Sequence, residues 1–119
     1  MPKIKNAPKS EPGYTNIFIA GALALDGRAN AAYIISSEPL RLNSCEFETL
    51  YLLASHKDTP QSFEAIYNSV WEQEDGADRR TEAREAINGV VTIINAAGNG
   101  FAWIEHEPSD NYVYRTLFR

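Results

Sequence analysis

Residues 39–56 read PLRLNSCEFETLYLLASH, and this stretch decides how the rest of the chain is to be read. Its opening, PLRLN, alternates apolar and polar side chains as a short strand does. Asn43 is then a good helix cap, and Glu46, three residues on, completes a capping box. Phe47, Leu50, Tyr51 and Ala54 follow at i, i+3, i+4 and i+7. The period changes from two to that of a helix, and one apolar stripe results. A strand hands over directly to an amphipathic helix.

Working toward the amino end, NIFIAG, ALALDG and AAYIISS are β-prone runs, the second closed by the Asp26-Gly27 turn signal. With EPLRLN they predict an antiparallel sheet of about four short strands. Working toward the carboxyl end, KDTPQ breaks the first helix and Ser62 caps a second. The stripe of this second helix is Phe63, Ile66, Tyr67, Val70 and Trp71. EQEDGAD is an acidic connection. A third helix is expected from Asp78 or Arg80 to near Ala97, burying Ala83, Ile87, Val90, Val91 and Ile94. Gly89 inside it signals close packing or a bend, and AAGNG supplies glycines suited to left-handed caps. FAWIEH and NYVYRTLFR make a closing hairpin. Phe47, Tyr51, Phe63, Tyr67, Trp71, Phe101 and Trp103 fall on apolar stripes or strand faces, which makes most of them core.

A chain of 119 residues is one domain with one core. Residues 1–16 hold three prolines, with Lys3, Lys5 and Lys9 against Glu11, and read as a disordered basic arm or linker. The folded domain is expected over residues 17–119. The arm carries +2, so the net −5 of the chain leaves −7 on the other 103 residues. An acidic body repels a polyanion on average, so any nucleic-acid contact needs a local basic patch. Cys45 is the only cysteine, which excludes an internal disulfide and points to a reducing, cytoplasmic setting. At the start of an amphipathic helix it reads as a partly buried small residue. The arm lysines followed by IFIAGALAL have the outline of a secretory leader. Glu11 interrupts the basic part, however, and no small-residue cleavage site precedes the domain. That apolar run is too short to span a bilayer, so no membrane partner is expected.

A sheet, three helices and a β-hairpin, in that order, is the plan of a winged helix-turn-helix, an α+β fold. The motifs are more specific. Leu42, Asn43, Glu46, Phe47, Leu50 and Leu53 resemble the first-helix pattern of the DNA-binding output domain of OmpR-type response regulators. Ser62, Glu64, Ile66, Val70 and Trp71 resemble that family's second helix. DRRT at 78–81 resembles the opening of its third, and NYVYRT its final strand. This resemblance covers roughly residues 17–118. It implies a transcriptional regulator whose third helix, at about 79–96, is the recognition helix for double-stranded DNA. The family joins this domain to a phosphorylatable receiver, for which 119 residues leave no room. The chain either stands alone or belongs to a longer regulator.

The chemistry divides over this expectation. Arg79, Arg80 and Arg84 lie in the first turns of helix three, where base and phosphate contacts are made. Thr81 can donate to phosphate, Asn88 can read adenine, and Arg115 after the wing can touch the backbone. Asp78, Glu82 and Glu85 nevertheless cancel the three arginines and offer them local partners. The family's wing carries glycine and arginine, whereas EHEPSDN places Glu105, Glu107 and Asp110 there. Carboxylates near phosphate cost Coulomb energy. A second class of function therefore stands beside the first: a winged helix without DNA binding, acting on a protein partner or a second copy of itself. An enzyme is not expected. His56 and His106 lack an activated nucleophile, and the EHE triplet alternates across a strand and cannot converge on a metal. No phosphate loop, CxxC pair or nucleophile elbow appears, and no cofactor is implied.

Overall fold

The computed structural model describes residues 17–34, 39–71 and 78–117. The arm expected over 1–16, the end of the third strand run and most of the acidic connection after Trp71 lie outside the described residues. Four strands come first: β1 (Ile17–Ala20), β2 (Leu23–Asp26), β3 (Ala31–Ile34) and β4 (Leu40–Arg41). They form an antiparallel meander in the order β1-β2-β3-β4. Helix α1 (Ser44–Ser55), the two-residue strand β5 (Gln61–Ser62), α2 (Phe63–Val70) and α3 (Arg80–Ala97) follow. The hairpin β6 (Ala102–His106) and β7 (Asn111–Thr116) closes the chain, and its sheet runs β5-β7-β6. This is an α+β winged helix.

The caps sit where the sequence puts them. The Glu46 amide donates to Asn43 Oδ1 at 2.8 Å, and the Asn43 amide donates back to Glu46 Oε1 at 3.0 Å. The Ser62 hydroxyl accepts from the Ala65 amide at 3.0 Å, so α2 starts one residue after β5 pairs with β7. In α1 the burial exceeds the expected stripe, because every residue from Phe47 to Ala54 is buried, Glu48 and Thr49 included. The cause is its central place. Phe18 of β1 meets Tyr51 on one side at 4.9 Å between ring centroids, while α2, α3 and β7 pack on the others. Thr49 satisfies its buried hydroxyl by donating to the Cys45 carbonyl at 2.8 Å. Cys45 itself is half-buried, and burial, then the nearby Glu48, push its thiol above the ordinary value.

Two polar ties fasten the amino-terminal sheet to the hairpin 94 residues away. The Tyr114 hydroxyl donates to the Ala20 carbonyl at 2.7 Å, and the Ala22 amide donates to Thr116 Oγ1 at 3.0 Å. Tyr112 and Tyr114 are fully buried, and burial pushes the Tyr114 hydroxyl up to about 12, so it stays a neutral donor. Of the aromatics expected in the core, Phe101 is exposed and Trp103 is half-buried.

The end of α3 corrects one expectation. Gly98 is right-handed, at φ −69°, and does not form a left-handed cap. It is glycine for want of space, because a Cβ there would lie 1.8 Å from the Ala102 carbonyl oxygen. The left-handed residues are Asn99 and Gly100. At Gly89 the nearest atom to an added Cβ is Glu46 Oε2 at 3.5 Å, an ordinary contact, so close packing does not explain that glycine.

Candidate nucleic-acid interface

Helix α3 buries Ala83, Ile87, Val90 and Ile94, and its leading end faces out beside the hairpin turn. Aromatic rings of α2 form a ladder there. Phe63 and Tyr67 stack at 5.9 Å, and Tyr67 and Trp71 at 6.5 Å. The i, i+4 spacing of these rings matches the i, i+4 spacing of the α3 arginines. Arg84 lies 3.9 Å over the Phe63 ring and Arg80 lies 4.7 Å over Tyr67. Phe63, Arg80, Thr81, Arg84 and Glu85 line a cleft of about 340 Å³ between the two helices.

Each arginine already has acidic company. Arg80 reaches Glu64 through Nη2 at 2.9 Å and Nε at 3.3 Å, and Asp78 through Nη1 at 3.4 Å. Its hydrogen bonds hold the Glu64 carboxyl below its ordinary range. Arg79, whose amide donates to the Tyr67 hydroxyl at 2.9 Å, is 4.0 Å from Glu82. Arg84 makes a fork on Asp110 at 2.8 and 2.9 Å and donates to the Tyr112 hydroxyl at 2.7 Å.

Asp110 is the hub of the wing turn. It sits in the left-handed region at φ +66°, and its carbonyl accepts from the Phe63 amide at 3.1 Å. His106 Nε2 approaches Asp110 Oδ1 to 2.9 Å while its ring stacks on Tyr112 at 4.1 Å. Bonds from Arg84, then His106, hold the Asp110 carboxyl far below the usual carboxylate range.

The candidate residues therefore fall into two places. Arg79, Arg80, Thr81, Arg84 and Asn88 share the first three turns of α3, with Thr81 and Asn88 exposed. Arg115 stands apart on β7, bonded to Glu105 at 3.1 Å and Asp58 at 3.2 Å. Glu105 also accepts from the Trp103 indole at 2.9 Å, which with Arg115 lowers its carboxyl. The wing acids Glu105 and Asp110 thus neutralise the domain's own arginines. Local Arg–Glu pairs could be anticipated from the sequence, but the Arg84–Asp110 fork could not. The matched spacing of α2 rings and α3 arginines was the available signal. Among the described residues, no group of three or more His, Cys, Asp or Glu is placed to hold a metal ion. No described helix is long and apolar enough to cross a membrane.

No protein-family model matches the chain, and no curated protein matches it significantly. Solved structures do. The response regulator DrrB of Thermotoga maritima, an OmpR/PhoB homologue, superposes with a TM-score of 0.65 at 18% identity. It covers 83% of this chain, which spans only 44% of DrrB. The DNA-binding domain of CadC from E. coli gives 0.63 at 14% identity, covering 85% of this chain and 91% of its own. The Klebsiella pneumoniae RstA DNA-binding domain, solved in complex with the RstA box, gives 0.58 at 17% identity. It covers 83% of this chain and 96% of its own. These likenesses establish a shared fold, that of the winged-helix DNA-binding domains of OmpR/PhoB-type regulators.

Proposed function

We propose that the chain is a double-stranded DNA-binding domain of a transcriptional regulator, with α3 from Arg79 to Asn88 as recognition helix. One observation carries the reading: the leading end of α3 is exposed and braced against both α2 and the wing, the rigid presentation that a groove-reading helix requires. The fold shared with RstA, whose DNA-binding domain was solved on the RstA box, supports the same reading.

The two principal arginines have different roles. The Arg80 partners Glu64 and Asp78 have side chains 55% and 71% exposed. Exposed pairs of this kind add little to stability, so exchanging carboxylate for phosphate costs little. Arg80 is the phosphate contact, assisted by Arg79 and the Thr81 hydroxyl. Arg84, held by a two-oxygen fork, a phenol and a ring, is the strut between helix and wing. Arg115 reaches phosphate only by leaving Glu105 and Asp58.

A second reading is favoured by the pairing itself. With its arginines matched by carboxylates and a net charge of −5, the domain suits a basic protein surface at its hairpin or sheet. Titration with duplex DNA between about 50 and 200 mM salt separates the two. DNA binding predicts affinity that falls as salt rises, and Arg80→Ala should lower the slope of log K against log salt by about one. Salt-independent or absent binding would favour the protein partner.

A further inference from the structure

We infer that Glu85 and Asn88 are the base-reading residues of α3, selecting cytosine and adenine respectively, in a site that lacks the usual arginine–guanine contact. The inference rests on the DNA-binding reading above. At about 100° per residue, the side of α3 opposite Ala83, Ile87, Val90 and Ile94 carries Thr81, Glu85, Asn88 and Thr92. All four are exposed. No lysine or arginine stands on this stripe. Arg80 and Arg84 project from its flank, where Glu64, Asp78, Asp110 and Tyr112 hold them.

Glu85 is the informative member. Among the described residues its carboxylate has no hydrogen bond and no ion pair, although it lines the same cleft as Arg80 and Arg84. A carboxylate brought between two phosphate chains is repelled unless a base donor meets it. In the major groove, cytosine offers its N4 amino group to such an acceptor. Guanine presents only the acceptors O6 and N7 and would be rejected. One helical turn on, Asn88 has the donor and acceptor that match adenine N6 and N7. Side chains at this spacing are about 5–6 Å apart, against about 3.4 Å per base step, so the two bases stand one or two steps apart.

The test is selection from a randomised double-stranded DNA library by the full 119-residue chain, repeated with Glu85→Ala, Glu85→Gln and Asn88→Ala. The wild type should enrich a cytosine and an adenine one or two steps apart. Glu85→Ala should abolish the cytosine preference and weaken binding to the selected site roughly ten-fold. Glu85→Gln should turn that position toward adenine, and Asn88→Ala should relax only the second position. If Glu85 merely repels, Glu85→Ala will tighten binding to every duplex and leave the enriched site unchanged, which overturns the inference alone. A wild type that binds duplex in a salt-dependent way but enriches nothing overturns the inference alone, and one that retains no duplex at all overturns the DNA-binding reading with it.

Discussion

Gly89 lies within α3 and Gly98 caps its end, but they differ in what a methyl group would meet. At Gly89 the added carbon finds ordinary contact distance and a helical backbone, so Gly89→Ala should raise stability by up to about 1 kcal/mol. At Gly98 it meets the Ala102 and Ile94 carbonyl oxygens, and Gly98→Ala should cost about 1–3 kcal/mol. Urea denaturation of the two variants checks both signs. Asp110 makes a different demand on conditions. Its folded carboxyl holds protons more weakly than the unfolded one, because Arg84 and His106 favour the charged form. Its contribution is therefore present above the ordinary carboxylate range, near pH 4, and is lost as pH falls below it. Glu64 and Glu105 are shifted in the same direction. Asp110→Asn should start less stable at neutral pH and lose less on acidification. Urea midpoints at pH 7 and near pH 3 measure this, and an unchanged acid limb would deny Asp110 the role of hub.

Among the elements, β6 shows how a helix can finish a sheet. It is an edge strand, with β7 on one side only. On the other side Asn95 of α3 stands in for a strand, since its Oδ1 accepts from the Ile104 amide at 2.7 Å and its Nδ2 donates to the Ile104 carbonyl at 3.0 Å. Asn95→Ala would strand both backbone groups of a buried residue, at about 1–3 kcal/mol. A thermal melt of that variant is the check, and an unaltered midpoint would mean that water replaces the amide. Capped helices and the hairpin were legible in the sequence because caps and periodicity are local. The Asn95 bridge was not, since an asparagine near a helix end carries no mark of a partner nine residues on. Likewise Gly98 announces a turn but not the carbonyl that excludes its Cβ.

For the whole molecule, the element order followed from the sequence, whereas the distribution of charge did not. Counting residues showed that the acids outnumber the bases, yet only the folded chain brings Asp110 to Arg84, Glu64 to Arg80 and Asp58 to Arg115. Each of these joins residues 16 or more apart in the chain, beyond the reach of helical spacing. Among the described residues, Arg28, Arg41, Lys57 and Arg79 are the cations outside these three pairs. Of the four only Arg79 adjoins α3, and it stands 4.0 Å from Glu82. On the proposed DNA-binding reading, the contact accordingly depends on a small face, with modest electrostatic assistance from the rest of the surface. The most direct measurement is amide chemical-shift mapping of the ¹⁵N-labelled chain as duplex DNA is added at low salt. The account predicts the largest shifts from Arg79 to Asn88 and in the wing turn around Asp110. Shifts concentrated on β1–β4, or none at any DNA concentration, would contradict it.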